Sequence, residues 1–375
     1  MSWLHRAATA VAAAGLLLTA AVPASAAPGP TNPGQGTEHE HFANHPLRVL
    51  PQVTNTTPTG LSPATIKQAY SFPTSALAGA GKTIAIVDAY NDPTIASDLS
   101  AFSTQFGLPA CTSANGCFTK VNQKGGTKYP QSDSGWALEI ALDVEWAHAI
   151  APGAKILLVE ANSSSFTDLM TAEDYASAHA QYVSNSWGGA EFSGEASYDT
   201  HFNRSGVSFF ASAGDQGAPA TYPSASPNVI SVGGTRLNFD STGALSSETG
   251  WSSSGGGCSA FEVATAVQAA FSQYAQLNCA GKRATPDVSL DADPASGVSV
   301  YDSTSYNGQT GWFTVGGTSA SSPMWAARAA DTGALVNASY VYGSSVAFRD
   351  IITGNNGNPC LTGEDMVTGR GSWVG

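Results

Sequence analysis

The chain has 375 residues, enough for one large domain or two ordinary ones, and 42% of them are hydrophobic while only 11% are charged. So little charge excludes disorder driven by self-repulsion. With 28 acidic and 15 basic residues the net charge is −13, which disfavours nucleic acid or an anionic membrane as partner.

At the N-terminus, Arg6 precedes an apolar run over residues 7–22, and Ala24, Ser25 and Ala26 form a small-x-small cleavage signal. Residues 1–26 are therefore expected to be a signal peptide, which makes the protein secreted and extracellular. The competing reading, a membrane anchor, is weaker because the run is short and no stop-transfer charges follow it. Residues 27–60 are rich in Pro, Gly, Thr and Asn and read as a linker or short pro-segment. The cluster His39, Glu40, His41 and His45 could hold a metal, but a solvated linker is the favoured interpretation.

From Leu61 the pattern changes. Residues 82–88 read as a buried strand, 94–106 as a helix, 135–149 as a helix and 154–160 as a second apolar strand. A helix over 166–180, a strand over 182–185, a helix near 194–204 and a strand over 207–212 follow. Alternating helices and short buried strands predict an α/β fold, a mostly parallel sheet covered by helices on both faces, in one large domain over 61–375. Further strands are expected near 229–233, 298–302 and 312–315, and a last helix near Ser319. Of the five cysteines, spacing suggests the pairs Cys111–Cys117 and Cys258–Cys279, leaving Cys360 over.

The most informative segment is GGTSASSP at 316–323. Small residues let the chain turn sharply out of a strand, and Pro323 suits the first turn of the helix that follows. A serine at such a helix start can act as a nucleophile beside free N–H groups that stabilise an oxyanion. The bland alternative is an N-cap serine.

A serine nucleophile needs a base, and none of the histidines sits in a Gly-rich setting. Glu139 and Asp143 are spaced i,i+4 on one helix and share a face, so if buried, one of them holds a proton. The alternative is a solvated acidic face that includes Glu145. Asp215, in SAGDQG at 212–217, follows an apolar strand at the end of the sheet where active sites gather. Protonated, it could donate to an oxyanion; alone, it reads as a turn residue.

Together these segments resemble the sedolisin family of serine-carboxyl peptidases, relatives of the subtilisin fold. The resemblance covers residues 61–375 and rests on EIALD at 139–143, AIAPGAKI at 149–156, SNSWG at 184–188, SAGDQG at 212–217, SVGGT at 231–235, SGGG at 254–257, PDVS at 286–289 and GTSASSP at 317–323. It implies an endopeptidase with Ser319 as nucleophile, Glu139 as base, Asp143 as its partner and Asp215 as oxyanion-hole acid. Ser186, Trp187 and Gly188 would bind an extended polypeptide substrate.

The resemblance also implies one structural calcium ion, held by the carboxylates of Asp350 and Asp365 and carbonyls of Ile351 and Gly363, with Leu361 a further candidate. The expected enzyme is a monomer with no nucleic-acid partner and no membrane association once mature. A glutamic acid titrates near ~4.3 and a histidine near ~6.5, so its pH optimum is expected about two units below that of a His-based enzyme. Two rivals stand beside this reading: a subtilisin-type peptidase using Asp88, His148 and Ser319, and a non-catalytic binding protein on a peptidase scaffold.

Overall fold

The computed structural model describes residues 40–50, 56–343 and 345–374. The signal peptide, its cleavage site, Arg6 and His39 lie outside the described residues.

A mostly parallel sheet organises the chain. Strand β1 (Thr83–Ala89) is followed by helix α1 (Ile95–Phe106), β2 (Phe118–Asn122), α2 (Ser134–Ile150), β3 (Lys155–Ala161), α3 (Phe166–His179), β4 (Tyr182–Asn185) and β5 (Ser208–Ser212). Next come β6 (Ile230–Phe239), β7 (Leu245–Gly250), β8 (Val288–Asp291), the hairpin β9 (Val298–Tyr306) and β10 (Gln309–Gly316), and helix α4 (Thr318–Thr332). The spatial order is β7-β6-β5-β4-β1-β3-β2, with β8 also on β6. Every pairing is parallel except that of β7 with β6.

Strand β1 explains why the sheet is covered on both faces. Its side chains alternate, as a strand's must. Ile84 and Ile86 enter one core, built on α2 and α4. Ala85, Val87 and Ala89 enter a second, built on α3. Because both faces are buried, the strand reads as a continuous apolar run.

Helix α2 passes through the middle of the first core. Asp133 caps its start, accepting from the N–H groups of Gly135 (2.9 Å) and Trp136 (3.0 Å). From Trp136 to Ile150 every side chain is buried, so the helix has no wet face. Glu139, Asp143 and Glu145 are each 0% exposed, which removes the solvated-acidic-face alternative.

Other sequence expectations need adjustment. The segment near 194–204 is a 3₁₀-helix over Glu195–Phe202, beginning at Gly194 with φ 98°. Pro323 is not in the first turn of α4, because that helix begins at Thr318. A proline inside a helix cannot donate to the carbonyl four residues back, here that of Ser319. The Ser186 hydroxyl lies 3.3 Å from that carbonyl oxygen and replaces the missing donor. The disulfides Cys111–Cys117 and Cys258–Cys279 form as spacing suggested, and Cys360 is free and buried. No helix among the described residues is long and apolar enough to cross a membrane.

Candidate active site

The site forms where α2, the N-terminus of α4 and the loop after β5 meet. The chain leaves β10 through Gly316 and Gly317 into α4. A Cβ on Gly317 would lie 2.1 Å from the Pro46 carbonyl oxygen and 2.8 Å from Asp215 Oδ2, and its φ is 113°. Only glycine fits so strained and crowded a turn.

Three serines follow within four residues, and the structure distinguishes them. Ser321 donates to the carbonyls of Leu290 and Asp291 at 3.0 Å each. Ser322 bonds the Ser184 hydroxyl at 2.9 Å. Ser319 Oγ, fully buried, closes no hydrogen bond, and neither do Oε1 and Oε2 of Glu139. The Ser319 hydroxyl is nonetheless near enough to Glu139 to favour its ionised form, while burial acts the other way and pushes the carboxyl up to about 8.

Asp143 is held well above the ordinary carboxylate range by burial and by the neighbouring Glu139. Ser186 Oγ lies 2.9 Å from Asp143 Oδ1 as well as 3.3 Å from the Ser319 carbonyl. A hydroxyl has one proton to give. Ser186 divides that proton between Asp143 Oδ1 and the Ser319 carbonyl, and Asp143 Oδ2, which has no hydrogen-bond partner, is the oxygen left to carry the proton that burial retains.

Asp88, at the end of β1, adds a third acid. Both its oxygens lack partners, and burial with the charges of Asp143 and Glu139 raises its pKa well above normal. The sequence placed it only in the histidine-based rival. Its signal was its position at the end of the first core strand.

Asp215 sits across the cleft. Its Oδ1 accepts from the Thr318 N–H (2.8 Å) and hydroxyl (3.0 Å), and Thr318 Oγ1 accepts from the Gly214 N–H (3.0 Å). Oδ2 has no hydrogen-bond partner. Burial pushes the carboxyl up to about 7 against the opposing pull of Thr318 and Arg48. With Oδ1 already accepting twice, the retained proton belongs on Oδ2, where it is free to be donated.

The segment expected to be a solvated linker lies in the cleft. Asn44 and Gly188 exchange main-chain bonds as an antiparallel bridge, N to O at 2.9 and 3.0 Å. His45 Nδ1 lies 3.5 Å from Glu139 Oε2. Arg48 donates to the Asp215 carbonyl at 2.8 Å, with its Nε 3.7 Å from Oδ2, and Arg48–Val49 then joins β10. His41 stacks on Phe192, so the two rings serve different neighbours instead of forming one metal set. Burial lowers His45 to about 4, leaving it neutral against the acids. A cleft of about 480 Å³ beside this segment is lined by Gly188, Gly189, Ala190 and the Asp215 loop.

Of the expected substrate-binding residues, Gly188 lines that cleft. Trp187 does not: its indole is buried and donates to the Val87 carbonyl at 2.9 Å. Ser186 faces Asp143. His148 is nine residues beyond Glu139 on α2, about 13.5 Å along the axis, and is bound to the Pro109 carbonyl at 2.8 Å. A triad of Asp88, His148 and Ser319 is therefore not assembled.

Near the C-terminus, Asp350 Oδ2 accepts from the Gly363 N–H at 3.0 Å, and Asp365 accepts from those of Leu361, Val367 and Thr368 at 2.7 to 3.0 Å. The two carboxylates come from separate segments, Asp350 from just after Phe348–Arg349 and Asp365 from the loop that follows Leu361, and the Gly363 N–H links the second segment to Asp350. Their oxygens are hard donors of the kind that suits calcium.

A family profile described as the subtilase family matches residues 132–356. Kumamolisin of Bacillus sp. (strain MN-32) is 32% identical over 364 residues, covering 85% of this chain and 63% of that protein. Sedolisin of Pseudomonas sp. (strain 101) is 32% identical over 206 residues, covering 44% of this chain and 33% of that protein. The chain thus spans less than two thirds of the length of these relatives. Among solved structures, Pseudomonas sedolisin, a serine-carboxyl proteinase complexed with two molecules of pseudo-iodotyrostatin, superposes with a TM-score of 0.69 at 27% identity, covering 84% of this chain and 96% of that one. A structure titled S41 psychrophilic protease, 19% identical with a TM-score of 0.57, shares the fold.

Proposed function

Because the chain belongs to the subtilase family, on its sedolisin-type branch, we propose that it is a secreted endopeptidase that cleaves polypeptides at acidic pH through Ser319, Glu139 and Asp143. The observation that carries this reading is the antiparallel bridge between Asn44 and Gly188, which lays an extended stretch of the chain along the catalytic groove as a substrate peptide would lie.

In the reaction, Ser319 Oγ attacks the scissile carbonyl while Glu139 accepts its proton. Protonated Asp143 steadies Glu139 by sharing its own Oδ2 proton with it. Asp215 Oδ2 donates its proton in a hydrogen bond to the oxyanion, an interaction that strengthens as charge develops. Glu139 then protonates the leaving amine, and water repeats the sequence on the acyl-enzyme. Asp350 and Asp365, with carbonyls of Ile351 and Gly363, would hold calcium, whose positive charge would tie the segment after the Phe348–Arg349 strand to the 361–369 loop.

Three protonation states must coincide: Glu139 ionised, Asp143 and Asp215 protonated. With the 44–48 segment docked, Glu139 is desolvated and keeps its proton to about pH 8. Withdrawal of the segment admits water, lowers that value and makes the base available, so substrate entry and base activation are one event. Asp215 limits the rate from the other side, because above its pKa of about 7 it has no proton to donate.

Cleavage of a peptide library between about pH 3 and 8 tests the proposal. Internal cleavage with an acidic optimum and an alkaline limb falling through about pH 7 is expected. An optimum at pH 8 that survives Glu139→Gln would overturn it. Asp215→Asn separates charge from donation. An amide donates at every pH, so this variant should keep part of the rate and lose the alkaline limb. Asp215→Ala should lose on the order of 10²–10³ in kcat.

A further inference from the structure

A second group of acids lies outside the catalytic machinery. Asp92 follows β1, Asp98 is on α1 and Asp302 is on β9. One carboxylate oxygen from each lies within 4.8 Å of the other two, and all three residues are buried. Glu145, on α2 and 0% exposed, is close enough to feel the charge of all three.

Local hydrogen bonds fix these side chains and satisfy Asp98, but leave one oxygen each of Asp92, Asp302 and Glu145 without a partner. Asp92 Oδ1 accepts from the Thr94 N–H (2.8 Å), the Thr94 hydroxyl (2.9 Å) and the Thr304 hydroxyl (3.2 Å). Asp302 Oδ1 accepts from the Thr304 N–H at 2.7 Å, and Glu145 Oε2 from the Tyr301 N–H at 3.0 Å. Asp98 accepts from the Ser303 N–H (3.0 Å) and hydroxyl (2.7 Å). Asp92 Oδ2, Asp302 Oδ2 and Glu145 Oε1 are left buried with no hydrogen-bond partner. Lys120 is directed elsewhere: its Nζ bonds Glu160 Oε1 (2.9 Å), Asn91 Oδ1 (2.6 Å) and the Asp92 carbonyl, not the Asp92 carboxylate.

Three aspartates from three elements, each held so that a free oxygen remains or a carboxylate is fixed in place, make a preformed cage of carboxyl oxygens. Bare carboxylates at such separations repel strongly in a desolvated site, and unpaired buried charge is costly. We propose that Asp92, Asp98 and Asp302 bind one divalent cation of the calcium class, with Glu145 supplying further negative charge beside it. The donors are all hard oxygens, and the hydroxyls of Thr94 and Thr304, 2.9 Å apart, add neutral ones. This chemistry selects calcium over thiolate- or imidazole-seeking metals. The cation would tie the loop after β1 to α1 and to the hairpin. It would be a second ion, independent of the one at Asp350 and Asp365 and of the peptidase reading.

Calorimetric titration of chelator-treated full-length protein with calcium chloride tests this, using a Ser319→Ala background to prevent self-cleavage. The Asp365→Asn variant, which lacks the C-terminal carboxylate, should still bind one ion and gain several degrees in Tm with calcium. Asp302→Asn and Asp98→Asn should each bind one ion fewer than their parent. If Asp302→Asn does not fold, calcium-dependent stabilisation of Asp365→Asn still decides the matter. The proposal fails if Asp365→Asn binds no calcium. It fails equally if Asp302→Asn and Asp98→Asn keep full stoichiometry, or if Asp302→Asn is more stable with binding unchanged, since protons alone would then fill the cage.

Discussion

Ser319→Ala is expected to abolish peptide cleavage, with a loss on the order of 10⁶ in kcat, and Glu139→Gln to come close to it. Combining the two should cost hardly more than either alone, because a nucleophile and its base act as one unit. The structural reason is that Ser319 Oγ has no hydrogen-bond partner, whereas Ser321 and Ser322 are spent on the backbone of β8 and on Ser184. Glu139→Gln retains the shape of the side chain and removes only its capacity to take a proton. Steady-state kinetics near pH 4 on the parent, both single variants and the double variant would measure this. A Ser319→Ala enzyme within tenfold of the parent would exclude Ser319 as nucleophile, and multiplicative losses would mean that Glu139 acts elsewhere. His148→Ala should leave the pH profile unchanged, since its ring is engaged with the Pro109 carbonyl.

A stability maximum at acid pH is the second large effect expected. Burial raises the carboxyl of Asp215 to about 7 and that of Glu139 to about 8, and raises Asp88, Asp143 and Glu173 well above normal. A carboxyl in the unfolded chain titrates near ~4. Between these values the folded protein binds more protons than the unfolded one, so stability falls as pH rises. The contribution is fully present below about pH 4 and is lost as pH rises, through about 7 for Asp215 and about 8 for Glu139. Each tenfold difference in proton affinity between the folded and unfolded chain is worth about 1.4 kcal/mol, so a few such groups give a loss of several kcal/mol. His45, lowered to about 4, works in the opposite direction as pH falls below about 6.5, but the buried acids outnumber it. Calorimetric scans of the Ser319→Ala protein should show Tm lower at pH 8 than at pH 4 by roughly 10 °C. A Tm that rises across this interval would mean that these carboxyls are ionised in the folded state.

Much of this was legible in the residues. The apolar runs that became β1, β3, β4 and β5 read as buried strands, and a parallel sheet covered on both faces followed from their alternation with helices. The i,i+4 spacing of Glu139 and Asp143 placed them on one face of a helix, because helical geometry is local and periodic. The glycines before Thr318 marked a tight turn, and the sequence Gly-Thr-Ser pointed to Ser319, whose hydroxyl has no hydrogen-bond partner.

What lay beyond the sequence depended on contacts between residues far apart in the chain. Composition marked 27–60 as linker because it is rich in Pro, Gly, Thr and Asn, yet main-chain pairing of Asn44 to Gly188 and of Arg48–Val49 to β10 docks part of it in the cleft. Backbone hydrogen bonding leaves no signature in residue type. Trp187 sits inside a motif associated with substrate, but its indole reaches the Val87 carbonyl because the second core needs a large apolar side chain there. Pro323 looked like a helix start, and only the distant Ser186 hydroxyl shows how an interior proline is tolerated. Asp92, Asp98, Glu145 and Asp302 carry no signal as isolated acids scattered over more than 200 positions of the chain. The sequence by itself determined which residues could carry charge into the interior. Only the tertiary structure decided which of those charges would meet, because their energy depends on separation and on the exclusion of water, and both are created by folding.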